Sequence, residues 1–168
     1  ASSHVIMGTK NYALPKVDVL ITAYTRLDAW QDVLVPMSFS TVVFDEVQDL
    51  RHTGTKKRSA ARALSERAEY CVGLSATPIY NFGAEVWSVL DVISPECLGP
   101  LGSFVQEWCS GDVKVQDPMA LNSYLKSRGL FLRRSARRAA STVRDIVTLD
   151  GDLEALHRME DVLRTLAM

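Results

Sequence analysis

Residues 42–50 read Val-Val-Phe-Asp-Glu-Val-Gln-Asp-Leu. With Thr41 in front of it, the Val42–Phe44 run is mostly β-branched, the composition of a strand. It is apolar at consecutive positions rather than alternate ones, as in a strand of a parallel sheet covered on both faces. Asp45, Glu46 and then Gln48 follow at once. In an open parallel sheet, ligands bind outside the carboxyl ends of the strands, so these side chains arrive where a ligand is expected. Acids buried at such a place are costly unless partnered. A divalent cation resolves that cost, and Mg²⁺ takes one carboxylate together with phosphate oxygens and waters. The second acid can then orient and deprotonate an attacking water. The same residues also fit a strand that ends in a polar turn, so the pair needs a second feature beside it.

The next apolar run supplies one. Tyr70–Ala76 is a strand candidate that leads into Ser75-Ala76-Thr77-Pro78. The hydroxyls of Ser75 and Thr77, on a turn fixed by proline, could bond the carboxylates or Gln48 and link them to a moving element. Upstream, His4–Gly8 and Val17–Tyr24 read as two further strands, and Gly129–Arg134 and Asp145–Leu149 as later ones. Helical patterns lie between them, at Thr25–Leu34, Lys56–Ala68, Gly83–Ile93 and Pro118–Ser127, with a last one at Asp152–Leu166 that Asp152 caps. Strand–helix alternation predicts a parallel α/β sheet with helices on both faces.

The chain has 168 residues, enough for one domain with an ordinary core. Its net charge of -1 excludes nothing, but the distribution is uneven. Arg51–Arg67 and Lys126–Arg144 are rich in Lys and Arg and hold one acid between them, Glu66. Clustered positive charge is the footprint of a polyanion-binding surface, and it is also what a solvated helical face looks like. Three cysteines without CxxC spacing argue against a disulfide framework and a zinc site, and they fit a reducing, intracellular location. No apolar run approaches the ~18 residues of a membrane span, and no signal peptide is visible. The expectation is a cytoplasmic piece of a longer protein.

The ordered pair of an apolar strand ending in DExQ and a second ending in SATP resembles the first RecA-like lobe of superfamily-2 helicases and translocases. The likeness is greatest to the Swi/Snf-type DNA-dependent ATPases. "FDEVQ" (Phe44–Gln48) is similar to their motif II, "GLSATPIYN" (Gly73–Asn81) to motif III and "DVLITAYTRL" (Asp18–Leu27) to motif Ib. "AEVWSVLDVISPECLG" (Ala84–Gly99) and "FLRRSARRAASTVRDIVTLDG" (Phe131–Gly151) resemble the segments after motif III, so the likeness covers nearly the whole chain. It implies that residues 1–150 are the C-terminal portion of an ATP-binding lobe with a RecA-like, P-loop NTPase type of sheet. Residues 151–168 would be a helix leading toward a second RecA-like lobe.

By position, the resemblance makes Asp45 the Mg²⁺ ligand, Glu46 the base that activates water for ATP hydrolysis, and Gln48 the residue that touches the γ-phosphate region and motif III. It makes Ser75, Ala76 and Thr77 the coupling segment. Thr22, Tyr24, Arg133 and Arg134 become contacts to nucleic acid, expected to be double-stranded DNA. Motif III here reads SAT, where the Swi/Snf branch usually has GT. No Gly-Lys-Ser/Thr loop occurs in the chain; "MGTK" (Met7–Lys10) and "TGTKK" (Thr53–Lys57) lack that order. The resemblance therefore implies an incomplete lobe, with the phosphate loop and arginine fingers on other parts of a longer protein, and no appreciable ATPase activity in these residues alone. A non-catalytic nucleic-acid-binding module, and a strand-separating or restriction-associated motor, are the readings that stand beside it.

Overall fold

In the computed structural model the chain divides into two compact units, Ala1–Leu132 and Arg133–Met168. The structure describes residues 1–76, 82–110 and 114–133. The boundary expected at residue 150, the strand expected at Asp145–Leu149 and the helix expected at Asp152–Leu166 lie outside the described residues.

Strands β1 (Ser3–Val5) and β2 (Val19–Ile21) pair in parallel, with His4 beside Leu20. Strands β3 (Thr41–Phe44) and β4 (Tyr70–Gly73) do the same, with Thr41 beside Tyr70 and Phe44 beside Gly73. The first strand is shorter than its apolar run because Gly8 turns the chain at φ +73°, which only glycine adopts readily. Helix α1 (Leu27–Leu34) follows a 3-10 turn at Tyr24–Arg26, and α2 (Lys56–Ser65) lies between β3 and β4. Both helices sit where the sequence periodicity predicts.

The first core forms on one side of these strands. Helix α1 turns Leu27, Trp30 and Leu34 inward, a stripe at three- and four-residue spacing. Helix α2 presents Ala60, Ala61 and Leu64, and the two alanines leave room for close helix packing. Ile6, Phe44, Val47 and Leu50 complete the cluster. Trp30 is fully buried, and its indole N–H donates to the Gly8 carbonyl at 3.1 Å. Among the described residues the other faces of the strands stay exposed, through Val5, Val19, Ile21, Val43, Tyr70 and Val72. The strand runs are apolar on both faces, but these residues cover one.

Helix α3 (Gly83–Ile93) begins and ends where its periodicity places it. It serves two cores at once. Val89 and Val92 join the first cluster, whereas Val86 and Leu90 join a second with Phe104, Cys109, Leu121 and Leu125. That second cluster is built by α4 (Leu101–Trp108), a short antiparallel pair of β5 (Cys109–Ser110) and β6 (Lys114–Val115), and α5 (Pro118–Ser127). Helix α5 starts at a strong cap. Asp117 Oδ1 accepts from the amides of Met119 (3.0 Å) and Ala120 (2.9 Å), with proline at the first helical position. The strand expected at Gly129–Arg134 does not form over 129–133. Gly129 at φ +68° closes α5 instead, and the Leu130 amide returns to the Leu125 carbonyl at 2.9 Å. Leu130 and Phe131 then pack onto the second core.

The basic outer face expected on α2 also needs correction. Arg58 is buried, and it donates through Nε to Ser88 Oγ (2.7 Å) and through Nη2 to Asp91 Oδ2 (2.7 Å). Arg62 pairs with Glu66 at 2.7 Å, and its Nε lies 3.1 Å from Asp91 Oδ2. That Nε has no aligned hydrogen bond, so the contact is ionic. Arg51 meets Glu85 at 3.6 Å and Lys56 meets Asp28 at 3.6 Å. The positive charge of this stretch is largely matched inside the fold, which weakens it as a polyanion surface.

Candidate active site

Strand β3 delivers the site. Phe44 is buried at its end, and Val47, Gln48 and Leu50 are buried in the 3-10 turn that follows, Val47–Leu50. Asp45 and Glu46 lie between these anchors and are exposed. The desolvation expected for them is therefore absent from this chain, and their carboxylates are presented to solvent at the carboxyl end of a parallel strand.

Glu46 adopts φ 48° and ψ 49°, the left-handed region. For a residue that is not glycine this costs on the order of 1–3 kcal/mol and persists only where the surroundings over-determine it. The surroundings here are specific. Tyr24 Oη donates to the Asp45 carbonyl at 2.6 Å. The Val47 amide donates to the Leu74 carbonyl at 2.9 Å, and the Leu74 amide to the Phe44 carbonyl at 2.8 Å. The Asp49 amide returns to the Glu46 carbonyl at 2.9 Å. The Glu46 amide reaches Asp45 Oδ1 at 3.1 Å, and Gln48 Nε2 donates to Glu46 Oε2 at 2.5 Å. The carboxamide that steers Glu46 is itself 9% exposed, and its Oε1 is buried without a hydrogen-bond partner.

Tyr24 is half-buried, its ring stacked on Phe44 at 6.3 Å between centroids. Burial first, and then the negative charges of Asp49, Asp45 and Glu46, push its phenol above the usual range. The hydroxyl is thus held protonated, as a donor.

The structure brings Asp45, Glu46, Gln48 and Tyr24 into one bonded group. Ser75 and Ala76 follow Leu74 directly, so motif III touches motif II through the backbone of Leu74. Thr77 lies outside the described residues. Thr22 is half-buried, and its Oγ1 has no hydrogen-bond partner. Arg133 is exposed, and Arg134 lies outside the described residues. Sequence reasoning missed the Tyr24 bond to Asp45, because nothing in the sequence pairs a phenol with a carbonyl 21 residues away.

No group of three or more His, Cys, Asp or Glu able to hold a metal occurs among the described residues. Asp45 and Glu46 instead offer hard carboxylate oxygens from one short stretch. That donor set fits Mg²⁺, which binds through one or two carboxylates and takes its remaining ligands from waters and substrate phosphates. It suits a cation that arrives with a nucleotide better than a structural ion in a closed cage.

Residues 5–147 match the SNF2-related domain, and the chain belongs to that family. It is 26% identical over 106 residues to the SWI/SNF-related matrix-associated actin-dependent regulator of chromatin subfamily A-like protein 1 of Drosophila melanogaster, covering 63% of this chain and 14% of that protein. It is 26% identical over 130 residues to the DNA repair and recombination protein RAD26 of Saccharomyces cerevisiae, covering 77% of this chain and 11% of that one. Among solved structures it is similar to the Sulfolobus solfataricus SWI2/SNF2 ATPase core in complex with dsDNA, with a TM-score of 0.56 and 26% identity. That match covers 70% of this chain and 24% of the other. The chain thus spans a small part of each of these relatives. The parallel α/β fold expected from the sequence, and the resemblance to Swi/Snf-type ATPases, are both borne out.

Proposed function

We propose that this chain carries the metal- and water-handling half of the ATPase site in an ATP-dependent DNA translocase. The observation that supports this most is the posture of Asp45–Glu46. Two exposed carboxylates stand at the end of a parallel strand, with Glu46 held in a left-handed turn and steered by a buried glutamine. A plain polar turn has no need of that conformation or of the bonds that support it.

In this reading Asp45 holds Mg²⁺ and Glu46 accepts the proton of the attacking water. Gln48 keeps the Glu46 carboxylate in position. Bound Mg²⁺ supplies neutralisation of charge on the ATP phosphates. Ser75 and Ala76 follow Leu74, whose backbone bonds reach the turn holding Glu46, and this supports assigning them, together with Thr77, to coupling hydrolysis to movement. Thr22, Arg133 and Arg134 are candidates for contact with DNA. Double-stranded DNA as partner rests on the similar Sulfolobus core, described in complex with dsDNA. A second RecA-like lobe, and a DNA-associated location inside the cell, belong to the same reading.

Glu46→Gln in the intact protein tests it. ATP binding is expected to persist while DNA-stimulated hydrolysis falls by roughly 10²–10⁴, the scale of a lost general base. Turnover near that of the unsubstituted protein would remove Glu46 from the role of base.

A further inference from the structure

We propose that Tyr24 is a positioning residue for the hydrolysis site: its hydroxyl sets the peptide between Asp45 and Glu46 and so aims the Glu46 carboxylate. This rests on the ATPase reading above and assigns that site a part it did not have.

The geometry at Glu46 leads to it. A residue's backbone has two soft dihedrals, and each turns against a rigid peptide plane. The plane before Glu46 contains the Asp45 carbonyl, and Tyr24 Oη donates to that oxygen at 2.6 Å. The plane after Glu46 contains the Val47 amide, which donates to Leu74 at 2.9 Å. Pinning both planes fixes φ and ψ of Glu46 at 48° and 49°, values that an unclamped glutamate would leave. The downstream pin comes from the β4 exit. The upstream pin comes from the segment between β2 and α1, since Tyr24 opens the 3-10 turn Tyr24–Arg26.

Tyr24 is well placed to transmit position. Its ring is stacked on Phe44, the residue just before Asp45, so the side chain bridges β3 and the turn that leads into α1. A shift of the Thr22–Tyr24 segment would therefore rotate the Asp45–Glu46 peptide. The hydroxyl is engaged by a carbonyl of the chain itself. This gives Tyr24 an indirect role beside the nucleic-acid contact expected of it.

Tyr24→Phe in the intact protein keeps the stacked ring and removes only the donor. The expected result is a fall in kcat of about 10-fold, below the ~10²-fold that a misplacement of 1 Å can cause. KM for ATP and the Kd for duplex DNA should each stay within about twofold. Amide hydrogen exchange over residues 45–48, read without turnover, should speed up while β3 keeps its protection. A kcat within twofold of the unsubstituted protein, or unchanged exchange over 45–48, would overturn the positioning role. So would a loss of turnover that follows from weakened DNA affinity. Glu46→Gln in the same assay separates the two levels. If it lowers turnover by about 10²-fold or more while Tyr24→Phe leaves kcat within twofold of the unsubstituted protein, the positioning role alone fails. If it leaves turnover intact, the ATPase reading fails and takes the positioning role with it.

Discussion

Asp91 and the Asp45–Glu46 pair are acids set beside buried apolar residues, yet the chain treats them in opposite ways. Asp91 is enclosed, with its side chain 8% exposed, and it faces Arg58 at 2.7 Å and Arg62 at 3.1 Å. Its other oxygen, Oδ1, accepts from the Glu96 amide at 3.2 Å. Arg58 is answered in turn by Ser88 and lies over the Trp87 ring at 5.4 Å. Every charge there has a partner within the fold, so the group is complete as it stands. Asp45 and Glu46 are exposed, and the bonds around them fix the backbone and hold one oxygen of each carboxylate, with no cation paired to either among the described ion pairs. The difference teaches how to read an acid. One enclosed with matching cations secures packing, and one held rigid but left open is arranged for something that arrives from outside.

The largest effect that separates the two is expected from Asp91→Ala. It leaves the buried Arg58 guanidinium without its counter-charge, which costs about 3–5 kcal/mol at such sites. Urea unfolding of the chain measures it. Replacing Arg58 and Asp91 together with apolar residues of similar volume should recover most of that loss, because a buried pair gains little over good apolar packing. If Asp91→Ala moved the midpoint no more than a surface change does, the enclosed network would not be holding α2 to α3.

Asp117 is an intermediate case. It is exposed, like Asp45, but its carboxylate accepts two amides at the start of α5. Asp117→Ala is expected to destabilise by about 1 kcal/mol, the usual worth of a helix N-cap. The same unfolding experiment checks it, and Asp117→Asn should retain most of the stability. A null result would mean that α5 is held by Leu121 and Leu125 in the second core and not by its cap.

These contrasts also show what the sequence could carry. Helices α3 and α5 were legible to the residue, because Val86, Leu90 and Ile93 keep helical spacing and Asp117-Pro118 marks a start. Motif II was legible because β-branched residues run straight into two acids. Helix α4 was not, since Gly102 and Ser103 depress its helical signal, and a pair of two-residue strands is too short to leave a period. The burial of Arg58 was invisible because its partners Ser88 and Asp91 lie 30 and 33 residues away. Local pattern placed that arginine on an outer face, and tertiary pairing turned it inward. The Tyr24 clamp was hidden for the same reason. Periodicity reports on neighbours along an element, and the bonds that define this site join different elements.

The smallest effect on stability is expected at the site itself, and it is the sharpest test of the comparison. Asp45→Asn keeps an oxygen to receive the Glu46 amide and leaves the Tyr24 and Leu74 bonds untouched, since both involve backbone atoms. Removing an exposed charge away from packed groups changes stability by no more than about 0.5 kcal/mol. Unfolding of the chain should therefore be nearly unaffected, while Mg²⁺-dependent ATP hydrolysis by the intact protein should fall steeply. A substitution that is silent in folding and severe in turnover is the signature of a side chain positioned for a ligand. If Asp45→Asn instead unfolded the chain as Asp91→Ala is expected to, both acids would be structural, and the open posture of Asp45–Glu46 would lose its meaning.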